Sequence, residues 1–398
     1  MQPSALRVAL FTGNYNYVRD GPAQAMNRLV GYLLEQGATV RIYAPTTKEP
    51  AVEAIGDLVS VPSVPMGLGR AEYRVALGLS ARVRRDIEAF GPNIMHIATP
   101  DVMGHRALSY AARNKIPSVA SLHTRFETYP RYYGLGFLEP LFERILTRFY
   151  NRADQVLVPA NSMVALLRGW GVDTPISLWS RGVDEDNFSP ERRSMAWRRE
   201  NGIADSDFVL GFLGRLVKEK GLDIYCEVVR ALAKIDPSFK ALIVGDGPAR
   251  AWLEKQLPDG RFVGFKSGPQ LGEAIASMDV FLNPSVTETF GNVTLEAFSA
   301  GVPVVAALAP GAQDLIENGM EGVLIGPNNI GGYVEALQQL KSSSELREHM
   351  QRSAQQKAKG FKWDEVNRTV MDNYLELHSF YYRTRNFGRL TDLRLEQA

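Results

Sequence analysis

Apolar residues fall along this chain in two kinds of run. Short, nearly continuous, β-branched stretches ("RVALF", "TVRIYA", "IMHIA", "SVASLH", "QVLVPA", "PISLW", and later "FVLGFLG", "KALIVG", "DVFLNP", "VPVVAA", "GVLIG") alternate with longer stretches whose apolar positions return at helical spacing. Strands apolar on both faces, separated by amphipathic helices, predict α/β folding with parallel sheets covered by helices on both sides. The strands come in two series. Between them the polar, strand-free segment 180–207, "SRGVDEDNFSPERRSMAWRRENGIADSD", predicts a connection between two doubly wound domains, 1–183 and 184–362. Beyond about residue 343 the strands stop, and the pattern predicts two helices broken near Gly360. Two Rossmann-like domains facing one another would form a cleft lined by the loops at the carboxyl ends of their strands.

Composition narrows the function classes. The 398 residues, 45% of them hydrophobic, suit two domains of ordinary size that need no staples. The single cysteine, Cys226, sits among Leu222, Tyr225, Val229, Leu232 and Ala233 at helical spacing, which predicts a core thiol and a reducing compartment. No apolar stretch approaches the roughly 20 residues of a membrane span, and "MQPSALRVALFTG" runs into a strand without a basic leader, so a cytoplasmic location is expected. A net charge of +1 argues against nucleic acid as a partner. The charge is uneven, however. Residues 66–85 hold Arg70, Arg74, Arg82, Arg84 and Arg85 among Leu68, Tyr73, Leu77 and Leu79; residues 378–398 hold Arg383, Arg385, Arg389 and Arg394 among Phe380, Tyr381, Tyr382 and Phe387. Such patches predict peripheral docking on an anionic membrane surface, with a solvated helical face as the plain alternative.

The chemistry lies in the loops. "GRLVKEKGL" places Arg215 at a strand end and Lys220 at the next helix start, a candidate clamp for a diphosphate. "LIVGDGPAR" offers Gly245 and Gly247, where backbone can approach a ligand closely; the dinucleotide pattern G-x-G-x-x-G fails at Arg250. In "SVTETFGNVTLEAFSAG" the amides of Gly291, Asn292, Val293 and Thr294 form a candidate anion site at a helix start. Glu296 one turn on can accept from a vicinal diol such as ribose, and Glu288 on the loop can reach hydroxyls beyond the phosphates. The succession polyol, phosphate, polyol describes a nucleoside diphosphate sugar. In the first domain Gly21-Pro22 opens a helix after a loop flanked by Gly13, and His96 and His123 end two strands, His123 leading into the polar, aromatic "HTRFETYPRYYG". Asp184-Glu185-Asp186 is a D-x-D triplet, but it lies in the interdomain connection, and Arg215 with Lys220 already supplies the positive charge, so no metal is expected.

Taken in order, these motifs resemble the retaining glycosyltransferases of family four, which have the GT-B fold. Glu288 to Glu296, with Phe290-Gly291 between them, matches the E-x7-E motif. "GRLVKEKG" matches the phosphate loop, "VGDGP" a third signature, and "SRGVDEDNFSP", with Arg181, the interdomain segment. "HTRFETYPRYYG" is similar to the subgroup that glycosylates lipids; Asp20-Gly21-Pro22 departs from the double glycine that many members carry. The resemblance implies hexosyl transfer from a nucleoside diphosphate sugar, UDP-linked or GDP-mannose, to a lipid or glycan acceptor at the inner face of a membrane. It implies that Arg215 and Lys220 neutralise the departing diphosphate, Glu296 holds the ribose, Glu288 orients the sugar, the amides of Phe290 to Thr294 bind phosphate or sugar oxygens, and His123 contacts the sugar near the reacting carbon. It also implies that the last helix, 363–398, packs back on the first domain. A nucleotide-sugar epimerase, or a non-catalytic protein that binds a nucleotide sugar or a membrane, would use the same motifs.

Overall fold

A computed structural model of the protein describes residues 2–67, 72–132 and 134–395, with backbone alone from 384 onward. Leu68, Arg70 and Tyr133 of the motifs above lie outside it, as do the side chains of Arg385, Phe387, Arg389 and Arg394. The chain divides into two compact units, Met1–Thr124 with Pro140–Ser180 and Asp364–Ala398, and Arg125–Glu139 with Arg181–Trp363.

The first unit is built on strands β1 (Arg7–Phe11), β2 (Thr39–Ala44), β3 (Asp57–Ser60), β4 (Ser63–Pro65), β5 (Arg74–Ala76), β6 (Ile94–Ile97), β7 (Ser118–Ser121), β8 (Gln155–Val158) and β9 (Ile176–Leu178). Seven of them form one sheet in the order β3-β2-β1-β6-β7-β8-β9, while β4 and β5 make a separate antiparallel pair. The seven-stranded sheet is parallel, and Leu10 stands between Ile42 and His96. β1, β6 and β7 are almost wholly buried, as continuous apolar runs require when helices cover both faces. The helix Trp363–Leu395 belongs here from Asp364 onward: Asn367 Nδ2 donates to the Arg28 carbonyl (3.2 Å), Gln155 Nε2 donates to Asn373 Oδ1 (2.5 Å), and Tyr374 is fully buried.

The second unit holds β10 (Phe208–Leu213), β11 (Phe239–Val244), β12 (Arg261–Gly264), β13 (Val280–Asn283), β14 (Val304–Ala307) and β15 (Gly322–Ile325), all parallel, in the order β12-β11-β10-β13-β14-β15. Leu210, Phe212, Tyr225, Ile243, Leu282 and Tyr333 belong to its core. Cys226 is buried there, and burial pushes its thiol up to about 11, so it is protonated and inert at neutral pH.

The polar segment 180–207, read as the connection, packs from Arg181 onward as part of the second unit. The Phe188 carbonyl accepts from Ser299 Oγ (2.6 Å), and a Cβ on Gly272 would lie 1.7 Å from the Asn187 carbonyl oxygen. Arg198, fully buried, reaches Asp279 at 3.3 Å. Such partners let polar side chains of this stretch sit against the second unit. Residues 125–139, expected in the first domain, group with the second unit.

Candidate active site

The second sheet reverses its order between β10 and β13, the topological switch point at which open α/β sheets receive ligands. The loops leaving those two strands carry the predicted residues. After β10, Gly214 turns at φ 145°, half-buried Arg215 follows, and a 3-10 turn, Lys218–Lys220, leads through Gly221 (φ 70°) into the helix Leu222–Ile235. The loop after β13 leans on this one: a Cβ at Gly221 would sit 2.7 Å from the Pro284 carbonyl oxygen, and Thr287 Oγ1 donates to the Glu219 carbonyl at 3.2 Å. The result is an ion pair that sequence spacing did not reveal. Lys220 Nζ lies 2.6 Å from Glu288 Oε1, with side chains 29% and 15% exposed. The two residues assigned separately to phosphate and sugar are therefore direct partners.

The helix Asn292–Ser299 begins at Gly291, whose φ of 106° only glycine tolerates readily. The amides of Gly291, Asn292 and Val293 have no acceptor among the described residues. Thr294 is a correction. Its amide donates to the Gly291 carbonyl at 2.9 Å and its hydroxyl takes a hydrogen bond from Asn283 (3.3 Å), so three of those four amides remain for the candidate anion site. Phe290 contributes backbone only, its ring being buried against Phe361. Glu296 stands one turn in. Part of its surface stays open, yet the surrounding protein strips its carboxyl of water and pushes its pKa up to about 8, and that carboxyl has no hydrogen bond or ion pair among the described residues.

Gly245 and Gly247 have a packing role that the sequence did not show. Their positive φ angles, 136° and 158°, and their missing side chains serve the approach of one loop to another: a Cβ on Gly245 would lie 2.0 Å from the Gly214 carbonyl oxygen, and one on Gly247 2.6 Å from that of Leu216. Leu216 donates to the Asp246 carbonyl and accepts from Ala249, both at 2.9 Å, which ties the "GDGP" turn to the Arg215 loop. Gly311 is a residue that the sequence reading missed. A Cβ there would lie 2.6 Å from the Glu288 carbonyl oxygen, so the helix Pro310–Leu315 supports the loop that holds Glu288; the only signal was the small pair Pro310-Gly311 after a strand. In the same unit the turn Tyr129–Tyr132 packs on Lys218–Lys220, and Arg125 pairs with buried Glu127 at 2.6 Å.

Arg181 opens the second unit as a buried arginine, lowered to about 10 by desolvation and still charged at neutral pH. Asp184 of the D-x-D triplet caps its own turn, accepting from the Asn187 amide (3.1 Å) and side chain (2.9 Å). No group of three or more metal-ligating side chains occurs among the described residues.

In the first unit the helix Gly21–Glu35 does begin at Gly21, but its start already holds an anion. Asp20 accepts from the Ala23 amide (2.8 Å), from Asn14 (2.9 Å) and from the Tyr73 hydroxyl (3.0 Å), so a phosphate arriving at Gly21 would meet a carboxylate. At the reversal between β1 and β6, Gly13 donates to Thr99 Oγ1 (2.8 Å), and Asp101, raised to about 6 by desolvation, caps the helix Val102–Asn114. His123 is two residues beyond Ser121. Strand alternation puts both on one side of the sheet, and Ser121 Oγ lies 2.8 Å from His123 Nε2.

The basic patch at 66–85 is only partly outward. Tyr73 is bonded to Asp20, Arg74 to Ser63 (2.8 Å), and Leu79 is buried, which leaves Leu77, Arg82, Arg84 and Arg85 exposed. In the second unit Phe137, 75% exposed, and Leu135 are open, and in the first unit so are Leu141 and Ile145. At the far end of the chain Phe380 and Tyr382 are exposed. No helix among the described residues is long and apolar enough to cross a membrane.

Comparison with known proteins gives the chain a family. Residues 19–187 match Glycosyltransferase Family 4, and residues 194–357 match Glycosyl transferases group 1. The chain is 32% identical to the sulfoquinovosyl transferase SQD2 of Arabidopsis thaliana over 95% of its own length and 75% of that protein's. It is 31% identical to a GDP-mannose-dependent alpha-mannosyltransferase of Mycobacterium tuberculosis (80% and 84%), and 26% identical to the alpha-monoglucosyldiacylglycerol synthase of Streptococcus pneumoniae (86% and 80%). Its fold is that of the sucrose-phosphate synthase of Thermosynechococcus elongatus, with a TM-score of 0.77 over 94% of this chain and 99% of the other at 16% identity. With two parallel-sheet Rossmann-like units and the donor motifs at a switch point, the chain belongs to the family 4 glycosyltransferases of GT-B fold, in the group that resembles lipid glycosyltransferases.

Proposed function

We propose that the protein transfers a hexosyl group, with retention of anomeric configuration, from a nucleoside diphosphate sugar to a membrane lipid or cell-envelope glycan precursor. One observation carries the donor half: Glu296, desolvated and without a partner among the described residues, follows three amides, Gly291, Asn292 and Val293, that are unpaired among them as well. The amides offer hydrogen bonds to an oxyanion, and the carboxyl offers itself to a diol beside it. Arg215 and Lys220 supply charge to the departing diphosphate, an interaction that grows as the glycosidic bond breaks and so accelerates the reaction. Glu288, held beside Lys220, orients the sugar, and Gly245 and Gly247 act by fixing the loop that carries Arg215. His123 contacts the sugar near the reacting carbon. The leaving phosphate takes the acceptor proton, and the cation pair makes a metal unnecessary.

Retention accords with relatives whose names specify alpha products, since common glucosyl and mannosyl donors are themselves alpha-linked. A UDP sugar is favoured and GDP-mannose is the second choice, which the GDP-mannose-dependent relative keeps open. A lipid acceptor accords with the diacylglycerol in another relative's name and with exposed Phe137 and its apolar neighbours. The test is incubation with a panel of labelled UDP and GDP sugars and total membrane lipid, followed by separation of products and assignment of the anomer by NMR. A labelled alpha-glycoside is expected. Release of free sugar or an epimerised donor, with no acceptor product, would overturn the proposal.

A further inference from the structure

Behind His123 runs a buried line of hydrogen bonds that the donor chemistry does not use. His123 Nε2 lies 2.8 Å from Ser121 Oγ, Ser121 Oγ lies 2.7 Å from His96 Nε2, and His96 Nδ1 lies 2.5 Å from the Tyr374 hydroxyl. Ser121, His96 and Tyr374 are buried, and the edge of Trp179 meets both imidazoles, at centroid distances of 5.0 and 5.4 Å. Four residues separated by up to 278 positions thus form one line, begun by the last helix of the chain.

The direction of the line follows from counting hydrogens. Desolvation lowers His96 to about 3, so its ring is neutral and carries one N–H. The Tyr374 hydroxyl is buried, and His96 Nδ1 is its one partner among the described residues. If Nδ1–H donated to it, the phenolic hydrogen would be left buried without an acceptor, at a cost that native structures avoid. Tyr374 therefore donates to Nδ1, His96 Nε2–H donates to Ser121 Oγ, and the single Ser121 hydrogen goes to His123 Nε2. His123 is left as the tautomer with its hydrogen on Nδ1. We infer that Tyr374, acting through His96 and Ser121, fixes the tautomer and ring orientation of His123, so that these three are positioning residues for sugar transfer. The geometry stands by itself; only the kinetic consequence rests on the transferase reading.

The experiment uses the full chain with 15N-labelled histidine, whose five rings are assigned by single His→Gln variants. Long-range proton–nitrogen spectra of the wild type should show His123 protonated at Nδ1 and His96 at Nε2. Tyr374→Phe keeps the buried ring but removes the donor, and should release His123 from its single tautomer. It should also lower kcat about tenfold, the worth of one oriented hydrogen bond, with less than about a twofold change in donor KM. Ser121→Ala should do the same, and Ser121→Thr should restore most of the rate. Wild-type His123 protonated at Nε2 would overturn the direction. A Tyr374→Phe protein with unchanged tautomers, or with changed tautomers and unchanged kcat, would overturn the positioning role. Should a variant fail to fold, as judged by circular dichroism, the wild-type tautomers and Ser121→Thr still decide. The expected tautomers in a protein that transfers no sugar would instead defeat the transferase reading.

Discussion

Glu296 is a carboxyl raised by desolvation and without a hydrogen-bond or ion-pair partner among the described residues, and its protonation can be tested by titration. Its pKa, about 8 in the folded chain, lies well above that of an unfolded glutamate, so the native state holds a proton that the unfolded state has lost between roughly pH 4.5 and 8. Stability from this group is fully present below the lower value and is lost as pH rises through the upper one. Glu296→Gln mimics the protonated form, so the melting temperature of the ligand-free variant should fall less than the wild type's from pH 5 to pH 8. A diol donates to the ionised form. Calorimetry of nucleoside diphosphate binding near pH 7, in buffers of different ionisation enthalpy, should therefore show proton release by the wild type and less by Glu296→Gln, whose affinity should drop by about 1.5 to 3 kcal/mol. Glu288→Gln should behave differently. It leaves Lys220 without its ion-pair partner and able to turn to the diphosphate, so nucleotide affinity should hold or rise while kcat falls, because the sugar contact is lost. Weaker nucleotide binding by Glu288→Gln, with no change in turnover, would reverse the two assignments. If Arg215 and Lys220 supply all the positive charge, the rate in excess EDTA should equal that in magnesium; a loss beyond tenfold, restored by a divalent ion, would show that they do not. These residue types were legible in the sequence because each side chain announces its chemistry. The Lys220–Glu288 partnership was not, since 68 positions separate the two and only the adjacency of β10 and β13 closes that distance.

Elements were legible where the pattern was strong. β10, β11, β13 and β14 are buried runs on both faces, and the sequence marks them as such. The strands Asp57–Ser60, Ser63–Pro65, Arg74–Ala76 and Arg261–Gly264 escaped because they are three or four residues long, half-exposed or polar, and carry too few apolar positions to set a period. The loops misled in a different way. A glycine that admits a ligand and one that admits another loop read alike in sequence, and at Gly245 and Gly247 the structure shows the approach of another loop. Gly245→Ala should therefore damage the element before it damages the chemistry: positive φ and a Cβ 2.0 Å from a carbonyl oxygen make a destabilisation of about 2 kcal/mol or more the expected result, measured by denaturant unfolding. Stability within about 0.5 kcal/mol of the wild type, with donor binding lost, would return Gly245 to the ligand. The same clash argument applies at Gly311, where alanine should displace the Glu288 carbonyl and lower kcat along with stability.

At the scale of the molecule, charge and apolar exposure decide where a membrane surface could be met, and sequence located them only in part. Counting arginines in 66–85 included Arg74, which is bonded to Ser63, and grouped it with Tyr73 and Leu79, which face inward. Of the residues counted there, Leu77 and the arginine face of the helix Ala81–Phe90, with Arg82, Arg84 and Arg85, stay exposed. In the second unit Phe137 is the most exposed large apolar side chain among the described residues, just beyond the aromatic stretch 123–134 and outside any reading of the sequence. The two kinds of surface have different physics, so they can be separated. Exposed arginines respond to the potential of anionic lipid, on the order of 1 kcal/mol each and screened by salt, whereas a phenyl ring enters the headgroup boundary with little regard to ionic strength. Co-sedimentation with phosphatidylcholine vesicles, with and without phosphatidylglycerol, should therefore show stronger binding to the anionic set. Replacing Arg82, Arg84 and Arg85 with serine should abolish most of that difference and its salt dependence. Phe137→Ser should weaken binding to both sets by a similar factor and leave the salt dependence as it was. Equal binding of the wild type to neutral and anionic vesicles at low salt would remove the arginine face from the account, and an unchanged Phe137→Ser protein would remove the apolar one.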